Sequence, residues 1–335
     1  MKTNLFIFVF LFCAITISAQ KIKFVSQNTG NSLSQVHVFN EEGKLIVISD
    51  IEGQIELDDL SKNEKQFSLV HENYRIGTLT QEDLQKKEIL LNDRIVEIEE
   101  VIVTKNSKSK YIYVKGFFNS YLNLNKNLNV YADGLITYVY DSQSKKLKST
   151  RLEQYRVFLK ENKAQDSKNV SEMVFDSMLT LPDVKLAGVM GNEEESNYKE
   201  VINGDQVKRQ ATRSVLQEKE IKFLGYRLFD LSVSGTYNYN EKVQLNQFTS
   251  YNQRLSVKVK HKSEPDYNLL EYYTNFVVTE ISHGDSDSFP KVKLRKDRSF
   301  YNHDYWKMKR FPDMLKVFKE YHKDTLKEMP NSIKK

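Results

Sequence analysis

Cysteine is almost absent from this sequence of 335 residues, since the only one is Cys13. Because Cys13 lies inside an apolar N-terminal run, the chain that follows carries no thiol. Disulfides, a cysteine nucleophile and zinc–thiolate sites are therefore excluded after that run. Leu11 and Phe12 precede Cys13, where a lipoprotein signal would place small residues, so we do not expect lipidation there.

Glycine and proline are also scarce, with 12 and 5 residues. The sequence contains no Gly-x-Ser-x-Gly, Gly-x-x-x-x-Gly-Lys-Ser/Thr or Gly-x-Gly-x-x-Gly motif, which are the short patterns that place a nucleophile or cradle a phosphate. We therefore predict no catalytic residue, no bound cofactor and no enzymatic activity. In contrast, the 19 tyrosines and 19 phenylalanines favour packed strands over disorder.

Long apolar runs are missing beyond the N-terminus. There, Lys2 precedes an apolar stretch over residues 5–17, which is followed by Ser18, Ala19 and Gln20. This order is typical of a secretory signal peptide, and the stretch is too short for a bilayer span. We predict a signal peptide over residues 1–19 and export to the periplasm or outer membrane of a Gram-negative bacterium. An uncleaved N-terminal anchor is the alternative.

The formal net charge of +5 is mild but unevenly distributed. Residues 291–335 hold 14 lysines and arginines against 6 acidic residues. Such a tail can make peripheral contact with a membrane or bind an acidic partner, or it can simply be a solvated surface. An envelope or outer-membrane protein is the expected partner, and nucleic acid is not expected for an exported protein.

Candidate metal ligands occur in short patterns. His261 and Glu264 fit the His-x-x-Glu pattern of a zinc hydrolase, but they lie in a polar loop and the other histidines are badly spaced. Asp50 with Glu52 offers too few oxygens for calcium, and the run at residues 283–287, which has loop ligands for a hard cation, is interpreted as a solvated turn. We therefore predict no metal site. The remaining histidines after the middle of the chain are His283, His303 and His322.

Residues 21–104 read as short alternating strands separated by turns, which is typical of a small β-sandwich. Val96, Ile98, Val101 and Val103 alternate, and we expect this stretch to close the sandwich as an edge strand guarded by charges. A short helical turn is expected near residues 80–87, because Thr80 can cap it and Asp83 follows three residues later.

The segment "GNSLSQVHVFNEEGKLIVISDIEGQIEL" resembles the carboxypeptidase regulatory-like family. Asn73 replaces the glycine of that family's Gly-Tyr pair, and "EEVIVT" at 99–104 resembles the segment after this domain in TonB-dependent receptors. The resemblance implies a prealbumin-like sandwich of seven strands with no catalytic residues, while Asp50 and Gly53 form a turn. The positions that match the family are Gly30, Leu33, Val36, Val38, Ser49, Asp50, Gly53 and Ile55.

After a linker at residues 105–110, residues 111–335 predict an antiparallel, β-rich α+β domain. We expect turns at "ADG" (132–134) and "DSQSKK" (141–146), a helix from residue 169 stopped by Pro182, and an amphipathic helix over 311–329. Too little chain remains for a receptor barrel. Trp306 suits either a membrane interface or a packed cap on the last helix. The pairs Phe117–Phe118 and Tyr272–Tyr273 suit either a sugar or lipid groove or an alternation of one core and one surface residue.

Three functions remain open from the sequence. The first is a non-enzymatic envelope protein with an interaction or spacer module and a second domain that binds a partner or ligand. The second is a lipid or lipoprotein carrier, since residues 130–158 resemble curved-sheet carriers and uncharacterised envelope domains. The third is a zinc-dependent hydrolase built on His261.

Overall fold

The computed structural model describes most of the chain after residue 19. The predicted signal peptide at residues 1–19 lies outside the described residues. The described ranges are 20–61, 63–71, 74–92, 102–103, 109–160, 170–175, 178–191, 198–204, 206–214, 220–286, 292–309, 311–321 and 326–333.

Two small sheets form between residues 20 and 92, the part that we call the module. One has three strands in the order β4-β1-β7, and the other has four in the order β3-β2-β5-β6. Alternate apolar residues of both sheets are buried against one another, Phe24, Val38, Phe67 and Leu69 among them. The strands are β1 (Lys21–Ser26), β2 (His37–Phe39), β3 (Leu45–Ile48), β4 (Gln54–Glu56), β5 (Gln66–His71), β6 (Tyr74–Thr80) and β7 (Glu88–Leu91).

Two local motifs of the module match their sequence patterns. Asp50 Oδ1 accepts hydrogen bonds from the backbone N–H groups of Glu52 and Gln54, at 2.9 and 2.8 Å. Gly53 has φ of 78°, and a Cβ there would lie 2.9 Å from the Phe24 carbonyl oxygen, so this turn requires glycine. The expected turn near Thr80 is a 3-10 helix over Asp83–Gln85.

A single large sheet of eleven strands dominates the rest of the described chain. Its main order is β12-β13-β15-β16-β17-β9-β10-β11-β18, with β14 beside β15 and β8 beside β17. The mainly β character expected from the sequence is thereby confirmed. The strands are β8 (Ile102–Val103), β9 (Tyr111–Leu124), β10 (Asn127–Asp141), β11 (Leu147–Lys160), β12 (Tyr198–Asn203), β13 (Gln206–Ser214), β14 (Glu220–Phe223), β15 (Tyr226–Asn240), β16 (Phe248–His261), β17 (Asn268–Gly284) and β18 (Leu326–Glu328).

The first hairpin of the large sheet corrects one predicted turn. The chain reverses at Asn125 and Lys126, which both have positive φ, and the expected turn at residues 132–134 lies in the middle of β10. Gly134 is needed there because a Cβ would lie 2.1 Å from the Gln154 carbonyl oxygen on the neighbouring strand. The turn at residues 141–146 occurs as expected, between β10 and β11.

The short strand β8 corrects a second expectation. Ile102 and Val103 pair in parallel with Glu280 and Ile281 of β17, in the large sheet, instead of closing the module. Residues 93–101, which hold most of the remaining alternating stretch, and residues 104–108, which include 105–108 of the expected linker, lie outside the described residues. The part of "EEVIVT" that the structure describes therefore belongs to the large sheet.

One face of the large sheet is filled by the segment 178–191. Tyr140 donates a hydrogen bond to the Val184 carbonyl at 2.5 Å, and Tyr239 donates to the Val189 carbonyl at 2.9 Å. Two short helices, α1 (Val170–Phe175) and α2 (Leu186–Val189), lie on this side of the sheet. Of the predicted helix from residue 169, the structure describes α1, and residues 178–185 are not helical.

The C-terminal helix is shorter than its amphipathic pattern predicts. Helix α3 covers Met314–Tyr321, and the chain then returns as β18 to pair with the edge strand β11. His322, which the sequence places on the apolar stripe, lies outside the described residues. Unpaired backbone groups on β11 explain the return, because pairing satisfies them where a longer helix would leave them open.

Helix α3 joins the module to the large sheet. Phe318 is 1 % exposed and lies edge-on to Tyr121 of β9 and Phe39 of β2, with ring centroids 4.9 and 6.3 Å away. Leu45 and Val70 of the module belong to the same buried cluster. The module and the large sheet therefore share an apolar interface.

Candidate polar cleft between the module and the large sheet

A cleft of about 310 Å³ opens beside the shared apolar interface. One wall belongs to the module and includes Gln35, His37 and the start of the turn at Asp50. The other wall is the face of the large sheet formed by strands β13, β15, β16 and β17. Its volume lies at the lower end of the range for small-molecule sites.

The sheet wall carries polar side chains in register across four strands. In one row Thr212 pairs with Ser234, Ser234 with Arg254, and Arg254 with Tyr273. Because side chains alternate between the faces of a strand, residues two positions along form the next row on the same face. That neighbouring row is Gln210, Thr236, Asn252 and Asn275.

Most hydroxyl and amide groups of this wall have no side-chain hydrogen bond within the described part of the chain. Asn275 differs, since its amide nitrogen donates to Asn119 Oδ1 at 2.5 Å. Such groups in an open cleft are hydrated and can exchange water for a ligand. The side chains without a recorded partner are Gln210, Thr212, Ser232, Ser234, Thr236, Asn252 and Ser256.

Arg254 is the arginine that lines the cleft, and a carboxylate already binds its guanidinium. Its Nη2 donates to Glu271 Oε1 at 2.5 Å, and the Tyr273 hydroxyl donates to the same oxygen at 3.1 Å. Burial opposes the charge of Arg254, but Tyr273 and Glu271 raise its pKa overall. Arg254 therefore stays charged, and Glu271 lies directly against its guanidinium.

His37 forms the boundary between the cleft and the apolar interface. Its Nδ1 lies 3.0 Å from the Gln35 carbonyl oxygen, and its Nε2 lies 3.1 Å from the hydroxyl of Tyr121. Burial lowers the pKa of His37 to about 4, so the ring is neutral at neutral pH. The Tyr121 ring in turn stacks on Tyr273 at a centroid distance of 4.8 Å.

Two polar contacts hold the module at the opposite side of the cleft. Lys208 Nζ donates to Ser34 Oγ at 2.8 Å. Lys199 Nζ lies 2.8 Å from Glu52 Oε1, in an ion pair with both side chains largely exposed. The cleft is thus bounded on both sides by contacts between the module and the sheet.

The predicted metal patterns do not assemble into a site. Glu264 accepts hydrogen bonds from the backbone N–H and hydroxyl of Ser171, both at 2.6 Å, and from the backbone N–H of His261 at 2.7 Å. Burial opposes its charge, but these bonds lower the pKa of Glu264 overall. Glu264 therefore anchors the start of α1. Among the described residues, no group of three or more potential ligands could hold a metal ion.

The aromatic pairs lie on alternate faces of their strands. Phe118 is fully buried, while Phe117 packs edge-on against Phe311 at 5.4 Å. Tyr272 packs on the opposite face of β17 from Tyr273. The expectation of one surface residue is therefore wrong for Phe117 and Phe118, which are both buried. Tyr272 is half-buried beside the buried Tyr273, which also borders the cleft.

Trp306 lies over a buried ion pair. The guanidinium carbon of Arg156 is 4.0 Å from the Trp306 ring centroid, and Arg156 forms two hydrogen bonds to Asp133, at 3.0 and 2.6 Å. Tyr305 also donates to Asp133 Oδ1, at 2.6 Å. Of the two alternatives for Trp306, the packed cap is the one that the structure shows, although it covers the sheet and not α3.

The cleft could not be predicted from the sequence, because its walls come from distant parts of the chain. The stretch "SVSGTYNYN" does show small polar residues at alternate positions of β15. That pattern marks one polar face of a strand. It does not indicate that three neighbouring strands repeat the polarity, nor that the module covers the same face.

Comparison with known proteins adds little to this geometry. No family model matches the chain, and no curated protein matches it. Among solved structures, a lipovitellin structure described as "lipid-protein interactions in lipovitellin" is 9 % identical, with a TM-score of 0.27. The match covers 56 % of this chain and 27 % of that one, a likeness too low to carry an argument. No described helix is both long enough and apolar enough to cross a bilayer.

Proposed function

We propose that this chain is a non-enzymatic, exported protein of the cell envelope that binds a polar ligand. The module would be a prealbumin-like interaction module of the carboxypeptidase regulatory-like kind, without the strand at Ile102–Val103 that the sequence pattern had assigned to residues 21–104. The signal-peptide pattern at residues 1–19 and the motif from Gly30 to Ile55 support this proposal. An envelope or outer-membrane protein would be its partner, and residues 291–335 would provide peripheral membrane contact.

The cleft between the module and the large sheet is the main observation that supports a ligand-binding role. Side chains such as Ser234 and Thr236 face a cavity with their hydrogen-bonding capacity unused. These groups are hydrated in the open cleft, and an array of hydroxyls and amides that can exchange water for a ligand supports a polar binding site. The module contributes the second wall, which gives its contact with the large sheet a functional reason.

A lipid carrier is the second candidate, and it requires an apolar cavity between sheet and helix. On the helical side of the described sheet, Val184, Leu186 and Val189 are each at most 2 % exposed and fill the space against the strands. The described cleft is instead lined mostly by polar residues. These observations favour a polar ligand over an acyl chain. Mass spectrometry of the purified protein tests the alternative, because a carrier should retain lipid.

Thiol labelling can test the proposed role directly, since the chain after Cys13 has no cysteine. We would introduce Ser234→Cys in the cleft and, as a matched control, Ser144→Cys in the exposed turn after β10. Envelope extract below about 1 kDa should slow labelling of the first variant and leave the second unchanged. Equal labelling of Ser234→Cys with and without extract would contradict the proposal.

A further inference from the structure

The cleft between the module and the large sheet is a saccharide site: we infer that its ligand is a neutral mono- to trisaccharide. This inference rests on the proposed ligand-binding function and specifies the chemical class of the ligand. It follows from the kind of polar groups present, their spacing, their charge and the scarcity of aliphatic side chains in the lining.

The available groups of the sheet wall both donate and accept hydrogen bonds. A Ser or Thr hydroxyl has one donor and two acceptor sites, and an Asn or Gln amide has both functions. Sugar hydroxyls have the same dual character, so each can pair with either kind of side chain. The groups without a recorded side-chain partner include Gln210, Thr212, Ser234, Thr236 and Asn252.

The spacing of these groups is fixed by the sheet. Neighbours within a row, such as Ser234 and Thr212, lie on adjacent strands about 4.8 Å apart. Positions two residues along a strand, such as Ser234 and Thr236, are separated by roughly 7 Å. This grid presents several hydrogen-bonding groups within the area of one or two sugar rings.

The charge of the cleft argues against an anionic ligand. Arg254 is the cationic side chain that lines it, and Glu271 already binds its guanidinium at 2.5 Å. Asp50 would repel an anion, and its Oδ1 is already bound within the turn. Arg254 Nε has no hydrogen-bond partner among the described residues, but the Glu271 carboxylate that already binds Nη2 and the Asp50 carboxylate in the lining both oppose a phosphate or uronate.

The side chains that line the cleft are a poor match for an acyl chain. Ile48 is the aliphatic residue in its lining. Tyr273 is only 4 % exposed because its ring stacks on Tyr121. Binding must therefore depend on hydrogen bonds with little ring stacking, and we expect modest affinity.

Calorimetric titration of the mature protein tests this inference with maltotriose, cellotriose and chitotriose as neutral probes. Trigalacturonate, trialanine and lauric acid serve as the anionic, peptide and lipid comparators. We expect at least one neutral trisaccharide to bind saturably, in preference to all three comparators. Thr236→Val keeps the side-chain shape and should weaken binding about threefold to tenfold by removing one hydrogen bond.

The matched control is Thr150→Val, at an exposed position of β11, which should leave the affinity unchanged. A tighter complex with trigalacturonate or trialanine that Thr236→Val weakens would overturn the saccharide class and keep the cleft as a ligand site. Binding of lauric acid alone would overturn both proposals. No saturable binding of any neutral probe, with Ser234→Cys still protected by extract, would overturn the saccharide class alone.

Discussion

His37 Nε2 lies 3.1 Å from the hydroxyl of Tyr121, although 84 residues separate the two in the chain. This contact joins β2 of the module to β9 of the large sheet, at the inner end of the polar cleft. The module and the large sheet are therefore held together by a polar contact as well as by their apolar interface. The ligand site that we propose exists only while the module rests on the sheet.

The His37 contact should make stability depend on pH. The folded protein keeps the pKa of His37 at about 4, against 6.5 for an unperturbed histidine. Between these values the unfolded chain binds more protons, so the free energy of unfolding should fall as pH is lowered from 6.5 to 4. The loss attributable to His37 is roughly 3 kcal/mol at most.

Urea denaturation at pH 7 and pH 5 measures this loss. His37→Gln cannot titrate, so its stability should fall less than that of the wild type over the same interval. Because carboxylates titrate equally in both proteins, the difference isolates His37. Parallel pH profiles for the two proteins would contradict the assignment.

Phe318 should control the docking of the module. Replacement by alanine removes a fully buried ring from between Tyr121 and Phe39, and should cost about 3–5 kcal/mol. Hydrogen exchange followed by mass spectrometry should then show faster exchange in β2 and β5. Leu147→Ala, at a position that is 43 % exposed, should leave both the stability and the exchange rates of β2 and β5 unchanged. Unaltered exchange in β2 with Phe318→Ala would mean that α3 does not hold the module.

The buried pair of Asp133 and Arg156 predicts a strong asymmetry between single and double variants. Asp133→Asn leaves the Arg156 charge without its carboxylate and should cost about 3–5 kcal/mol. Replacing both residues with apolar ones of similar volume should restore part of that loss. At the exposed pair of Arg295 and Asp297, Asp297→Asn should change stability by less than about 1 kcal/mol. Thermal or urea unfolding compares the four proteins, and equal losses at both pairs would contradict this account.

Gly134 should be intolerant of alanine because of strand pairing. An added Cβ would lie 2.1 Å from the Gln154 carbonyl oxygen and force β10 away from β11, at a cost of at least about 2 kcal/mol. Gly77→Ala is the matched control, since its Cβ would meet only a Leu91 methyl group, at 3.3 Å. Urea unfolding measures the stability of both variants against the wild type. Similar stabilities for the two variants would show that the sheet adjusts easily.

Turns and caps that depend on neighbouring residues could be predicted from the sequence, as the Asp50–Gly53 turn and the Thr80 cap show. The Thr80 backbone N–H and hydroxyl both donate to Asp83 Oδ2, at 3.0 and 2.8 Å, which the spacing of the two residues predicts. The strand character of most of the chain was equally readable, because alternation of apolar and polar residues is a local signal.

Features that depend on residues far apart in the chain could not be predicted from the sequence. Gly134 reads as a turn residue, yet its role is to admit the neighbouring β11 backbone. The amphipathic pattern after Phe311 continues past Tyr321, yet the chain returns as β18 because an edge strand is available. The cleft depends on the register of four strands and on the docked module, which no single stretch of sequence encodes.

Hydrogen exchange of the mature protein, with and without the envelope extract below about 1 kDa, is the most direct test of the central claim. The account predicts slower exchange on both walls together, at β2 and its flanking turn and at β15 and β16. Slower exchange on neither wall, or only at a remote surface such as β14, would contradict the claim that the boundary between module and sheet is the ligand site.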